Sequence, residues 1–349
     1  MVTRTQAAIL FELGQPLRVV DIDLPELKPG QVLVDLAYSG VCHTQLSEAR
    51  GKRGADPFLP HAMGHEGAGI VLEIGQGVRK VKPGDHVVLS WIKGRGADVP
   101  STVYRSNGQK INSGAVCTFM RHAITCENRL VAIPEVMPLR TAALLGCVVP
   151  TGCGVIINTA KVQKGQSVAV FGTGGVGLCA ILAAVRNGAY PIVAVDILDY
   201  KLSHARQAGA THLVNASRQN ALAEILKITN GQGVDYSIES AGTPRAMESA
   251  FKAVRNGGGL CIIAGNAPAG ETITLNPFDL IKGKRIVGSW GGETDPERDI
   301  PLYAESYLDG RLKLDQLITN EYTLEDTNQA LDSLEQGKCL RPIINLTQE

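Results

Sequence analysis

The chain has 349 residues, about twice a typical domain, so two domains are expected. Its 44% hydrophobic content supplies ample core, and 34 basic side chains balance 34 acidic ones, which argues against a nucleic-acid or anionic-membrane partner. The start, Met1-Val2-Thr3-Arg4-Thr5-Gln6, does not read as an export signal. Apolar runs are broken by Gly or Arg well short of the roughly 20 residues that cross a membrane. Eight cysteines at positions 42, 117, 126, 147, 153, 179, 261 and 339 follow no framework spacing and read as reduced thiols or metal ligands. A soluble, cytoplasmic enzyme is the expectation.

In chain order, residues 1 to about 150 read as β-rich. Gln31-Val32-Leu33-Val34-Asp35-Leu36-Ala37-Tyr38 alternates in part, Gly69-Ile70-Val71-Leu72-Glu73-Ile74-Gly75 is a strand closed by glycine, and Val81-Lys82-Pro83-Gly84-Asp85 is a turn into Val87-Val88-Leu89. Short strands broken by Gly and Pro predict a small barrel-like domain. After Pro150 the pattern changes. Apolar runs at Ser167–Phe171, Pro191–Asp196, His212–Asn215, Val234–Ile238 and Leu260–Ala264 alternate with helical stretches, one from Val176 to Asn187 and one ending at Gly209. That alternation predicts an α/β doubly wound parallel sheet. From about Trp290 on, an amphipathic helix near Thr327–Gln336 and a last strand at Pro342–Leu346 either extend the sheet or return to the first domain; composition does not decide.

Gly172-Thr173-Gly174-Gly175-Val176-Gly177 fits G-x-G-x-x-G between a strand and a helix. The first glycine allows the turn, the second lets backbone approach a pyrophosphate, and the third lets helix and strand pack. The helix N-terminus then offers unpaired N–H groups to phosphate. Asp196 closes the next strand, at the position from which an acidic side chain accepts from a ribose hydroxyl. Ile197 and Leu198 supply no Arg for a 2′-phosphate, so NAD is expected over NADP. Lys201 either helps hold the ribose or is a solvated helix charge.

The first domain holds Cys42-His43-Thr44, Gly64-His65-Glu66 and Leu145-Gly146-Cys147. Two Cys and one His with a vacant fourth position make a catalytic zinc set, in which the vacancy allows a substrate oxygen to be polarised. Cys153, six residues on, is the rival for the third ligand.

Gly64-His65-Glu66-Gly67-Ala68-Gly69-Ile70-Val71, followed by Val81-Lys82-Pro83-Gly84-Asp85-His86-Val87, resembles the signature of zinc-containing medium-chain alcohol dehydrogenases. So do Val41-Cys42-His43-Thr44, Leu145-Gly146-Cys147, Thr151-Gly152, the Gly172–Gly177 loop and Gly337-Lys338-Cys339-Leu340-Arg341, in family order from about residue 7 to 346. The resemblance implies a GroES-like β-barrel catalytic domain, residues 1–148 and 290–349, and a Rossmann NAD-binding domain, residues 149–289. It implies that Cys42, His65 and Cys147 hold one catalytic zinc, with Glu66 behind it. Thr44 would take the proton of the bound alcohol. His43 and Arg341 match positions on the cofactor pyrophosphate, Thr151 and Val176 positions on the nicotinamide, and Gly265 is counted with the cofactor-binding residues. Trp91 falls where the family lines its substrate pocket with an aromatic, which points to an aryl or medium-sized alcohol; structural packing is the other reading.

Three departures matter. Many relatives carry a second zinc held by four cysteines soon after the Val87 strand; residues 91–116 here contain no Cys, so one zinc per chain is expected. Gln45 stands where relatives often have an Asp that orients the zinc-bound His; its oxygen can still accept that N–H, without the charge that raises ligand basicity. Ser47 stands where some relatives finish a proton relay with His, and a hydroxyl cannot store a proton near neutral pH. The function expected is hydride transfer between a primary or secondary alcohol and NAD, giving an aldehyde or ketone, by a homodimer or homotetramer. A polyol or sugar dehydrogenase with the same machinery, and a zinc-free quinone or enone reductase of the same fold, are the alternatives.

Overall fold

A computed structural model describes residues 2–347. It divides into two compact units, one made of residues up to 147 with 295–310 and those from 314 on, the other of 148–294 with 311–313. The last strand thus belongs with the first unit, where Arg341–Asn345 pairs antiparallel with Gln31–Gly40.

In the first unit the strand Gln31–Gly40 is the hub. It pairs antiparallel with Glu66–Ile74 on one side and with His122–Cys126 and Arg341–Asn345 on the other. Residues 31–34 and Leu36 are buried, so the start of this strand is covered on both faces. Glu66–Ile74 in turn pairs with His86–Ser90. A five-stranded sheet including Arg4–Leu10 and Arg18–Asp23 completes the β-structure. The helix Thr327–Glu335 lays Ala330, Leu331 and Leu334 on this core, the spacing of one helical face. The pairing places Gly40 opposite Ile343, Ser39 opposite Gly67 and Glu66 opposite Ser90. The residues that follow or precede these ends, Cys42, His65, Trp91 and Arg341, therefore gather at one end of the sheet.

The second unit is a parallel sheet ordered His212–Asn215, Ile192–Asp196, Val168–Phe171, Tyr236–Glu239, Leu260–Ile263, Arg285–Gly288. The first three of these run backwards in sequence and the last three forwards. The crevice between Val168–Phe171 and Tyr236–Glu239 is therefore the switch point at which such sheets bind ligands. The helix Gly175–Arg186 follows Val168–Phe171 directly. No single helix among the described residues is long and apolar enough to cross a membrane.

Candidate active site

The first cluster is assembled from three chain segments. Cys42 precedes the helix His43–Ala49, His65 precedes the strand Glu66–Ile74, and Cys147 follows the short 3-10 turn Ala143–Gly146. The two Sγ atoms and one ring nitrogen lie within 4.8 Å of one another, with His65 Nε2 3.2 Å from Cys147 Sγ. Ser90 Oγ donates to the Gly146 carbonyl at 2.8 Å, which ties the Cys147 turn to the neighbouring strand. The Cys42 thiol is held well below the usual thiol range. The hydrogen bond with Cys147 is the largest cause; burial opposes it, and Arg341 and His65 add to it. A sulfur held toward the thiolate, a second sulfur and one imidazole are the donor set of a zinc centre. Cys153 is buried in the other unit, its Sγ 3.6 Å from the Cys179 carbonyl.

Thr44 and Ser47 stand one turn apart on His43–Ala49, both half-buried, and so share a face. Thr44 Oγ1 is 3.8 Å from Cys42 Sγ; His43 is exposed at the start of that helix. Gln45 is 1% exposed. Its Oε1 accepts from the Cys42 amide at 2.8 Å and its Nε2 lies 2.8 Å from His65 Nδ1. The sequence reading has the oxygen facing the ring; here the oxygen serves the Cys42 N–H, the N3 half of a capping box. Glu66 is fully buried and its carboxylate meets the guanidinium of Arg341, itself almost fully buried. Trp91 is half-buried just past the strand His86–Ser90, and its carbonyl accepts from Arg129.

The second cluster lies at the carboxyl ends of the parallel strands. At Gly177 a Cβ would fall 1.9 Å from the Gly172 carbonyl, so only glycine fits the helix against its loop; at Gly174 a Cβ would meet nothing within 4 Å. An open backbone face beside a helix N-terminus is what a pyrophosphate needs. Asp196 Oδ2 accepts from the Thr173 amide at 2.7 Å and from its hydroxyl at 3.1 Å, while Oδ1 accepts from the amides of Ile197 and Leu198 at 2.7 and 3.1 Å. The carboxylate both closes the strand and shapes the glycine loop. Thr151 is buried on the helix Val148–Gly154, which Gly152 lets approach the Val176 carbonyl. Lys201 is half-buried on Asp199–Gln207, and Gly265 lies two residues past Leu260–Ile263.

Two groups escaped the sequence reading. Glu239, fully buried, ends its strand opposite Phe171 at the switch point, with Oε1 accepting from the amides of Ala241 and Gly242 at 2.9 and 2.7 Å. Burial pushes its carboxyl up to about 7, against the pull of nearby backbone amides. An acidic residue at the carboxyl end of a buried strand was the available signal. Glu48, Asp56 and His61 form the other group of ligand-type side chains among the described residues. His61 Nε2 lies 2.9 Å from Asp56 Oδ2 and its Nδ1 3.1 Å from the Ala62 carbonyl, so it fastens the loop carrying Asp56.

The family described as the alcohol dehydrogenase GroES-like domain matches residues 28–135, and that described as zinc-binding dehydrogenase matches residues 175–305. The chain is 35% identical to S-(hydroxymethyl)glutathione dehydrogenase of Synechocystis sp., over 98% of this chain and 100% of that one. It is 33% identical to the enzyme of the same name from Paracoccus denitrificans, over 98% and 99%. Among solved structures, it is similar to benzyl alcohol dehydrogenase from Acinetobacter calcoaceticus (32% identity, TM-score 0.90, 99% of each chain). It is likewise similar to an alcohol dehydrogenase zinc-binding domain protein from Burkholderia ambifaria (32% identity, TM-score 0.92, 99% of each chain).

Glu239 gives the second unit a testable pH response. Its folded value lies above its unfolded one, so its contribution is complete at acid pH, below the unfolded value, and is lost as pH rises through about 7. Denaturant unfolding of wild type and Glu239→Gln is expected to show the variant gaining on wild type between pH 5 and 8, by on the order of 3 kcal/mol. A gap independent of pH would show that the carboxyl titrates normally.

Proposed function

We propose that this chain, which belongs to the zinc-dependent medium-chain alcohol dehydrogenase family, oxidises a primary or secondary alcohol with NAD, an aryl or medium-sized alcohol first among them. Its activity as a zinc-dependent alcohol oxidoreductase follows from the family; the cofactor, substrate and residue roles are our reading. The observation that carries it is the convergence of Cys42, His65 and Cys147 within 4.8 Å. These three would hold the one zinc of the chain, and Gly172, Gly174, Gly175, Val176 and Gly177 would receive the dinucleotide with Asp196, Lys201, Thr151 and Gly265. When bound, the metal acts as a Lewis acid on the alcohol oxygen and the dinucleotide accepts the hydride.

The protein's own groups bind, orient and move the proton. Thr44, whose hydroxyl stands beside the Cys42 sulfur, would accept the alcohol proton while giving up its own hydroxyl proton outward, so that it relays the proton and stores none. Ser47, one turn along the same helix, can pass a proton outward but cannot store one. Glu66 and Arg341 neutralise each other behind the ligands, so the cluster's charge is set by its thiolates. His43 is assigned to the pyrophosphate and Trp91 to the substrate wall; Arg341, which the family resemblance also places on the pyrophosphate, is 3% exposed and paired with Glu66, so it would reach a phosphate only by leaving that pair. The Asp196 carboxylate, built into the loop by four donors, would repel a 2′-phosphate, which supports NAD. Arg218, on the same unit, is paired with Asp199.

The glutathione-adduct enzymes among the relatives support a second substrate, S-(hydroxymethyl)glutathione, and benzyl alcohol dehydrogenase supports the aryl alcohol. We also propose a homo-oligomer. Arg285–Gly288 is an edge strand, and Val287, Trp290, Phe278 and Ile281 beside it are exposed, an apolar strip suited to pairing with a second copy. A cytoplasmic location completes the reading, in keeping with eight irregularly spaced cysteines.

Elemental analysis of wild type is expected to give one zinc per chain. Cys147→Ala should lose zinc and turnover together while Cys153→Ala keeps both; the reverse pattern would move the ligand to Cys153. Steady-state kinetics over benzyl alcohol, aliphatic alcohols, a polyol and S-(hydroxymethyl)glutathione would identify the substrate. In the same assays kcat/KM with NAD should exceed that with NADP by about 100-fold, a repulsion of roughly 3 kcal/mol, and Asp196→Asn should narrow the gap. Equal use of both cofactors would remove Asp196 from its assigned role. Light scattering should find at least a dimer, and Val287→Lys should shift it to monomer; an unchanged mass would place the interface elsewhere.

A further inference from the structure

Gln45 stands against both the metal cluster and the backbone that carries it, and its carboxamide cannot serve the two at once. It is 1% exposed, so no bulk water relieves a mismatch. Oε1 accepts from the Cys42 N–H at 2.8 Å, and Nε2 lies 2.8 Å from His65 Nδ1. A carboxamide has one accepting end and one donating end. As placed, its NH2 is matched only by a ring whose Nδ1 is the acceptor, which puts the proton of a neutral imidazole on Nε2, facing Cys147 Sγ at 3.2 Å. A ring that ligates a metal through Nε2 carries its proton on Nδ1 instead, and then a donor faces a donor. Turning the carboxamide over only moves the conflict, because the NH2 then faces the Cys42 N–H.

We infer that Gln45 is a positioning residue that holds His65 in the tautomer opposed to metal ligation, so that this chain keeps its zinc more loosely than its Cys-His-Cys donor set would by itself. The inference rests on the zinc ligation proposed above. A carboxylate at position 45 would accept from both the Cys42 N–H and the ring N–H, with no conflict in either state. Outer-shell partners of this kind typically change metal affinity about 10- to 100-fold. A loosely held zinc makes the occupancy of the site, and with it the fraction of active enzyme, responsive to the free zinc concentration.

Two measurements on the full chain test this without using turnover. In zinc-stripped, 15N-histidine-labelled wild type, long-range 1H–15N correlation, with His65 assigned from the His65→Gln spectrum, is expected to show the proton on Nε2; in Gln45→Glu it is expected on Nδ1. In competition with a chromogenic chelator, Gln45→Glu is expected to hold zinc about 10- to 100-fold more tightly than wild type. A proton on Nδ1 in metal-free wild type would overturn the inference. So would a Gln45→Glu variant that melts like wild type yet binds zinc no more tightly. If that variant folds poorly, the wild-type spectrum decides. Zinc that binds without alcohol oxidation would sink the activity reading and leave this one standing; zinc retained by His65→Gln would sink the ligand assignment itself.

Discussion

Two opposite charges sit buried against each other at the base of the metal cluster, and much of the first unit is arranged around them. Glu66 and Arg341 are each almost wholly removed from water. Either alone would carry a desolvation cost of several kcal/mol, so each requires the other. They start two strands, Glu66–Ile74 and Arg341–Asn345, which flank Gln31–Gly40 on opposite sides. A slip of one residue in either pairing would turn its charge to the other face of the sheet. The ion pair therefore selects a register, and that register sets where Cys42 and His65 emerge. Guanidinium charge also helps hold the Cys42 sulfur toward the thiolate, so one contact serves both sheet register and ligand chemistry.

The second unit handles its carboxylates differently. Asp196 is surrounded by four hydrogen-bond donors, two from Thr173 and two from the backbone that follows it. It thus shapes the glycine loop as well as marking the ribose position. Glu239 is buried more deeply, with two amides on one oxygen and a carboxyl pushed up to about 7. The two acids end strands on either side of Val168–Phe171. At Glu239 burial outweighs the pull of the amides of Gly242, Ala241, Thr243 and Gly265.

Local pattern made the second unit legible. His212–Asn215 is a strand as read, Val168–Phe171 and Asp199–Gln207 fall within a residue or two of their expected ends, and the glycine loop stands where the strand–helix junction required it. The first unit was less legible because its site is non-local. Residue type and spacing alone leave Cys147 and Cys153 open, since both lie in apolar surroundings, and only the resemblance carried by Leu145-Gly146-Cys147 and Thr151-Gly152 favours Cys147; the division between the units falls immediately after it. Composition left Pro342–Leu346 without an address, because an apolar strand suits either sheet and only the pairing of Ile343 with Gly40 assigns it. The orientation of the Gln45 amide and the partner of Arg341 depend on side chains brought together by that same register.

The segment where many relatives place a second zinc shows how the fold manages with other means. Residues 91–98 have no thiol, yet their backbone is pinned from two sides. Glu127, nearly buried, accepts from the amides of Arg79, Lys80 and Ala97 at 2.5, 2.6 and 2.8 Å. Glu297 accepts from the amide of Arg95 at 2.8 Å and from Lys80 Nζ at 2.7 Å. The Gly94 amide donates to the Asn128 carbonyl at 2.8 Å. A metal gathers a loop by drawing in anions; here anions gather the loop by drawing in its N–H groups. Burial works to raise the Glu127 carboxyl, but the amides of Ala97, Arg79 and Lys80 together bring it below its ordinary value. Its contribution is therefore present at neutral pH and fades only as acid protonates it. Acidification, which protonates Glu127 and removes the acceptor of those three amides, is therefore the change that would loosen this loop.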